Sequence, residues 1–345
     1  VPTAITRRRR TKAIEFRKEI DPTGIVVGNS PAILQVFEDI AAANKIRGTA
    51  HVLLLGETGV GKTHVARLIH EASARKDRPL VEHNAGLSGG DASIQRGEWV
   101  GFGKDSGIAN IPRSGKEGVL DEARGGTLFV DEIDVLSAEL QAVFLSVMQG
   151  REVEKVGRGK VVPDVRCIFA MNADVTQLVA DGRVRGDFFA RVGTRIVIPP
   201  LRERRGDIIS LALAFAGAGV AFAEPCKLAM LQYDWPENVR ELKLKIEAAV
   251  ARSTLFGGAH PSVEHFGLPE QVVREIKGMS AGVCSEQLWR LADQIAAAES
   301  FEVNAGRQKR AAEILGVQEA QASKKYAEYR LLPEQSNPTV LSSAI

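Results

Sequence analysis

The sequence predicts an α/β fold: five short apolar strands set between helices, then a smaller all-helical part, then a pair of C-terminal helices. Short apolar runs recur at 52–55, 80–83, 127–130, 165–171 and 195–198, and they suit buried parallel strands. Helical periodicities stand between them. After Pro199-Pro200 the strands stop and helices take over, which marks a domain boundary.

The first strand leads into Gly56-Glu57-Thr58-Gly59-Val60-Gly61-Lys62-Thr63, which fits G-x-x-x-x-G-K-[ST] at every fixed position. From His64 on, Val65, Leu68, Ile69 and Ala72 share one helical face. Glycines let backbone N–H groups curl around phosphate oxygens, and the helix N-terminus adds a favourable dipole. Lys62 supplies a point charge for β- and γ-phosphates, and Thr63 a hydroxyl for Mg²⁺.

Ahead of this loop, residues 1–23 carry Arg7 to Arg10 in a row and then mixed charge, the pattern of a solvated linker. A short apolar stretch, 24–28, includes Val26 and Val27, which core packing or a bound base would both explain. Ser30 then Pro31 gives an N-cap followed by proline at the first helical position. Ile33, Val36, Phe37 and Ile40 follow at helical spacing.

Beyond the loop, the strand at 80–83 ends at Asn84. Residues 88–118 are so rich in glycine that no stable helix is expected; a projecting loop or a loop-tipped hairpin fits them better. The strand at 127–130 closes on Asp131-Glu132, the acidic pair expected opposite a P-loop. Asp131 would hold Mg²⁺, and Glu132 would polarise the attacking water. Ser137 caps a helix with Leu140, Val143, Phe144 and Val147 inward, stopped at Gly150. A charged hairpin at 152–162 turns at Gly157-Arg158-Gly159. The strand at 165–171 ends at Asn172, a strand cap or a polar group beside the γ-phosphate. Arg183, Arg185 and Arg191 surround Asp187-Phe188-Phe189 just before the fifth strand.

In the helical part, 208–223 reads as a lid helix, too short to span a bilayer. Trp235-Pro236-Glu237-Asn238-Val239-Arg240 opens another helix, with Pro236 in its first turn. Helices are expected at 285–301, 309–315 and 318–330, the last two broken at Gly316 in a helix-turn-helix pattern. Arg307, Lys309, Arg310, Lys324 and Lys325, with Gln318 and Gln321, are the candidate DNA contacts. The divisions follow: linker 1–23, nucleotide-binding part 24–200, lid 201–270, linker 271–284 and helix-turn-helix 285–345.

Hydrophobic content of 44% and charged content of 26% over 345 residues are ordinary for a globular chain. A formal charge of +2 means that any basic surface is local. Cys167, Cys226 and Cys284 lack metal-ligand spacing and read as reduced thiols of a cytoplasmic protein. The first residue is Val1 rather than Met, consistent with a fragment or processed chain lacking an N-terminal regulatory domain.

From about Gly24 to Leu244 the chain resembles the AAA+ domain of NtrC-type bacterial enhancer-binding proteins, which activate sigma-54 RNA polymerase. The matching segments are VVGNSPAI, GETGVGKTHVARLIH, GGTLFVDEID, MQGREVEKVG, VRCIFAMNAD, DGRVRGDFFARV, IPPLRERRGDI and WPENVREL, in the family's order. GRQKRAAEILGV is similar, more loosely, to the family's Fis-type helix-turn-helix. The resemblance implies an ATPase working as a hexameric or heptameric ring with ATP and Mg²⁺. It implies Asn84 as the switch acting on Glu132, Asn172 as first sensor, Arg185 and Arg191 as fingers into the neighbouring site, and Arg240 as second sensor.

Three departures stand out. The family's Gly-Ala-Phe-Thr-Gly-Ala loop, which touches sigma-54, aligns with Gly107-Ile108-Ala109-Asn110-Ile111-Pro112, so the Phe-Thr pair is Ala109-Asn110. The acidic residue usual after the P-loop lysine is Thr63. The stretch 208–228 is shorter than usual. The alternative reading is an AAA+ remodelling ATPase or a sigma-54-independent regulator with another protein target.

Overall fold

The computed structural model describes residues 7–21, 24, 26–45, 51–87, 92–108, 110–172, 175–299, 305–329 and 331. The strands are β1 (Val52–Leu55), β2 (Leu80–Asn84), β3 (Thr127–Asp131), β4 (Val153–Glu154), β5 (Lys160–Val161), β6 (Arg166–Met171) and β7 (Thr194–Val197). Five of them form a parallel sheet in the order β2-β3-β6-β1-β7, and β4 and β5 pair as a separate antiparallel hairpin. β1 and β6 are buried at every residue, which explains why they read as continuous apolar runs rather than alternating ones.

The helices of this half are α1 (Arg7–Ile20), α2 (Pro31–Lys45), α3 (Lys62–Glu71), α4 (Ala92–Val100), α5 (Val119–Glu122), α6 (Ala138–Met148), α7 (Val175–Ala180) and α8 (Gly186–Arg191). One face of the sheet packs α2 and α3 through Ile33, Phe37, Ile40, Val65, Leu68 and Ile69. The other packs α6 and α8 through Phe144, Phe169, Phe188 and Phe189, whose rings meet edge to face with centroids 4.9–6.2 Å apart. Ser137 Oγ accepts from Leu140 N at 3.3 Å and caps α6 as expected.

Two expectations fail here. Residues 7–20 of the expected linker form a helix: Ala13 and Ile20 are buried, Phe16 packs against the core, and Arg17 donates to the Val26 carbonyl at 3.2 Å. The glycine-rich stretch contains a helix, α4, followed by a loop whose Phe102 bridges Lys116 and Val156. Its glycines serve close packing. A Cβ on Gly97 would overlap the Phe102 ring, and one on Gly103 the Arg158 carbonyl. Gly103 N and Lys104 N donate to Val156 O and Arg158 O at 2.7 and 3.1 Å, so this loop is hydrogen-bonded to the β4–β5 hairpin.

The chain divides into two compact units: Lys12–Val26 with Ile33–Pro200, and the residues up to Thr11 and Val27–Ala32 with those from Leu201 on. The second unit contains α9 (Ile208–Ala216), α10 (Glu224–Gln232), α11 (Asn238–Leu255), α12 (Glu270–Lys277), α13 (Ala281–Glu299), α14 (Ala305–Leu315) and α15 (Glu319–Glu328). Its core is continuous from Leu201 to Leu331. The expected linker at 271–284 is therefore helical, with Ile276 and Cys284 in that core. Pro236 lies ahead of α11 rather than in its first turn. Asn238 opens that helix at φ 56° and accepts the Leu201 N–H at 2.7 Å; asparagine tolerates this left-handed backbone better than most residues.

Asp207 ties two segments of this unit together. Its carboxylate, 1% exposed, accepts Asn29 N at 2.7 Å, Ser30 N at 2.8 Å and Ser30 Oγ at 2.5 Å. The predicted Ser30 cap is thus part of a larger one, in which an acid 177 residues away in sequence satisfies the start of α2. All three cysteines are free and buried. Burial pushes the Cys167 thiol up to about 12, leaving it protonated and inert.

Candidate nucleotide site

Because the five strands are parallel, everything that follows a strand's last residue collects on one edge of the sheet. β1 delivers the glycine loop to that edge, β3 delivers Asp131 and Glu132, β6 delivers Asn172, and β2 ends in Asn84. The register fixes the neighbours: Leu55 lies opposite Met171, Val130 opposite Phe169, and Asn84 opposite Asp131. Asp131 stands two strands from the glycine loop, about 10 Å at the usual strand spacing. Asn172 lies at the end of the strand between.

The loop itself is built for close approach to an anion. Gly59 and Gly61 have φ of 78° and 105°, a backbone that other residues adopt at a cost, and Gly61 caps α3 without a side chain. The Lys62 ammonium donates to Gly56 O at 2.8 Å and Glu57 O at 3.1 Å. A Cβ on Gly56 would come within 2.8 Å of Ile198 O. Val60 is buried, whereas Thr58 and His64 are exposed and Glu57 and Thr63 half-buried. Thr63 offers a hydroxyl and Asp131 a carboxylate, the hard oxygen donors that Mg²⁺ takes alongside phosphate and water.

Glu132 sits at φ 57°, ψ 45°. For a glutamate this left-handed conformation costs roughly 1–2 kcal/mol, and such strain concentrates at functional positions. Its amide donates to Asp131 Oδ1 at 2.9 Å, which turns the chain sharply out of the strand. Asn84 Oδ1 accepts Gly86 N at 2.7 Å. A Cβ on Gly86 would fall 2.6 Å from Glu132 Oε2 and 3.0 Å from Asn84 Oδ1. Gly86 thus leaves the space in which the glutamate and the asparagine approach each other. Only the shared register of β2 and β3, a long-range property, reveals its role.

α8 carries Arg185 at its start and Arg191 at its end, both exposed. Arg185 forms a two-pronged pair with Asp187, at 3.0 and 2.8 Å, and that pairing raises its pKa. Val26 is half-buried against the sheet core, and its N–H donates to Asp21 at 2.8 Å. Val27 and Arg240 belong to the helical unit, Val27 packed against its core and Arg240 exposed on α11. Of the loop tip, Ile108 is half-buried and Asn110 exposed at φ 67°; Ala109 lies outside the described residues.

A model of the sigma-54 interaction domain matches residues 26–197. The Nif-specific regulatory protein of Rhizobium leguminosarum bv. trifolii is 37% identical over 249 residues, which cover 69% of each chain. The chain belongs to the sigma-54 activator family of AAA+ proteins. The C4-dicarboxylate transport transcriptional regulatory protein DctD of Pseudomonas aeruginosa is also 37% identical, over 68% of this chain and 52% of that protein, so the chain spans about half the length of that relative. Among solved structures, NtrX of Brucella abortus in complex with ATP aligns with a TM-score of 0.61 at 25% identity, covering 93% of this chain and 72% of that one. The resemblance of the AAA+ domain to sigma-54 activators and the α/β AAA+ fold class are thereby borne out.

The C-terminal candidates divide. Lys309, Gln318, Gln321 and Lys324 are exposed. Lys325 is half-buried beside Glu328 and Tyr329. Arg310 is 3% exposed, pairs with Glu299 at 2.6 Å and also reaches Glu313. Arg307 pairs with Asp293 at 2.5 Å, whose other oxygen accepts Tyr326 Oη at 2.8 Å. These two arginines hold α14 to α13 and are corrected from DNA contacts to structural ion pairs. Among the described residues, no helix is long and apolar enough to cross a membrane.

Proposed function

We propose that the chain is the ATP-hydrolysing and DNA-binding part of a cytoplasmic sigma-54 activator, working as a hexameric or heptameric ring that remodels its target. The observation that carries this is the gathering of the glycine loop, Asp131, Glu132, Asn84 and Asn172 at one edge of the sheet, with Arg185 and Arg191 exposed in the same unit. In this reading the loop amides and Lys62 hold the phosphates of ATP, with Val26, Val27 and Arg240 bordering the nucleotide. Thr63 and Asp131 hold Mg²⁺, which neutralises phosphate charge when bound. Glu132 polarises the attacking water, Asn84 is the switch that acts on Glu132, and Asn172 is the first sensor beside the γ-phosphate. Arg185 and Arg191 enter the neighbouring subunit's site, where they stabilise the charge of the transition state. Lys309, Gln318, Gln321, Lys324 and Lys325 meet DNA.

The target contact is the loop tip at Ile108 and Asn110. The absence of the Phe-Thr pair favours a second reading, a regulator whose ring acts on a protein other than sigma-54. Binding of sigma-54 to the ring held by a transition-state analogue of ATP separates the two. A stable complex supports the first reading; intact ATP hydrolysis without any complex establishes the second. Loss of both hydrolysis and nucleotide binding in the unaltered chain would overturn the ATPase assignment itself.

A further inference from the structure

Gln141 is 1% exposed, on the first turn of α6. Its amide nitrogen donates to Leu136 O at 2.9 Å and Arg183 O at 2.8 Å, and its amide oxygen accepts Arg185 N at 2.9 Å. Both N–H donors and one acceptor position are thus used, all on backbone atoms. Those atoms belong to two segments, one running from Glu132 to Leu136 and one from Arg183 to Arg185. A second tie joins the same segments: Arg183 Nη2 reaches Asp134 Oδ2 at 2.9 Å, and the aspartate side chain is only 10% exposed.

The first segment starts at the strained Glu132 and continues as a 3₁₀ turn, Ile133–Val135, that ends against Leu136. A backbone change at Glu132 therefore reaches the Leu136 carbonyl within four residues. The second segment ends at Arg185, the N-cap of α8, whose own side chain is held by Asp187. Asp187 pairs with the guanidinium at the surface, and Gln141 holds the backbone that bears it. Any buried amide must be hydrogen-bonded; what is particular to Gln141 is that its partners lie on two separate loops.

We propose that Gln141 is a positioning residue that couples the acid-bearing segment of each subunit to the arginine which that subunit lends to its neighbour. The proposal rests on Arg185 acting in trans. In the sequence, Gln141 had no signal beyond being a polar residue among the inward positions of α6.

Mixed rings test this. A donor subunit carries Glu132→Gln with Arg185 intact, and an acceptor subunit carries Arg185→Ala with Glu132 intact. Neither turns over alone, and their mixture recovers ATPase activity at acceptor sites next to donors. Gln141→Met in the donor is expected to lower the recovered kcat by about 10- to 100-fold, the usual cost of slight misplacement of a reacting group, with KM for ATP unchanged. The same substitution in the acceptor, whose arginine is already gone, acts only through its own Glu132 segment and is expected to lower recovery clearly less than in the donor. Gln141→Asn, which keeps the amide but shortens its reach, should behave as Gln141→Met does. Equal losses in both subunits would assign Gln141 to general stability and overturn the proposal, as would an unchanged donor. No recovery with Gln141 intact would instead remove the reading of Arg185 in trans, and the coupling with it.

Discussion

Two arginine-bearing stretches, 183–191 and 307–310, look alike in the sequence and are used in opposite ways. In the first, Phe188 and Phe189 are driven into the aromatic core, and the arginines at either end of α8 are left at the surface. Their acidic neighbour, Asp187, is exposed as well. In the second, the acids come from α13 and face inward, so Arg310 is pulled into the interior and Arg307 partly so. Arg307, Arg310, Ala311 and Ile314 follow helical spacing along the buried side of α14. A basic residue is available to a partner only when its own fold supplies no buried acid to meet it.

Substitutions break or sharpen this contrast, and the largest effect is expected at α8. Arg185→Ala or Arg191→Ala should lower ATPase activity by about 10³-fold or more, as removal of an arginine finger does, while the melting temperature stays where it was. A drop in melting temperature would show that α8 also needs its arginines for folding. Arg310→Met should do the reverse. It breaks the inward-facing pair with Glu299 and should cost about 3–5 kcal/mol of stability in denaturant unfolding. Lys324→Ala should leave stability unchanged and reduce the salt slope of DNA binding by about one. An unchanged slope would remove Lys324 from the DNA surface. The smallest effect is expected from Asp187→Asn, which loosens an exposed pair of the kind that contributes little. It should change the ATPase rate no more than a few-fold in a steady-state assay.

The strands and the glycine loop were legible because their signals are local. A run such as Val52–Leu55 is apolar at each position since both faces are covered, and Asn84, Asp131 and Asn172, which close three of the runs, mark the sheet edge. The acid pair at Asp131-Glu132 could be recognised because the loop upstream had already defined what should face it. What escaped depends on distant partners. Glycine density at 88–118 looked like freedom, whereas Gly97 and Gly103 are needed because Phe102 and Arg158 lie against them. The basic run Arg7 to Arg10 hid a helix whose anchoring residues, Ala13, Phe16 and Ile20, come later. Residues 271–284 looked like a linker because the apolar Val272, Val273 and Ile276 are few and spaced among charges. Gly86 and Gln141 matter through strand register and loop-to-loop hydrogen bonds, which leave no trace in a single stretch of chain.

The Asp207 carboxylate has a consequence for how the protein is made. Asn29 and its acceptor are 178 residues apart, and at about 5–20 residues per second of synthesis roughly 9–36 s separate their emergence from the ribosome. Through that interval the start of α2 has only its own Ser30 and water to satisfy its amides. The start of α2 is therefore completed only once Asp207 has been translated, and until then the nascent chain carries an unfinished helix end.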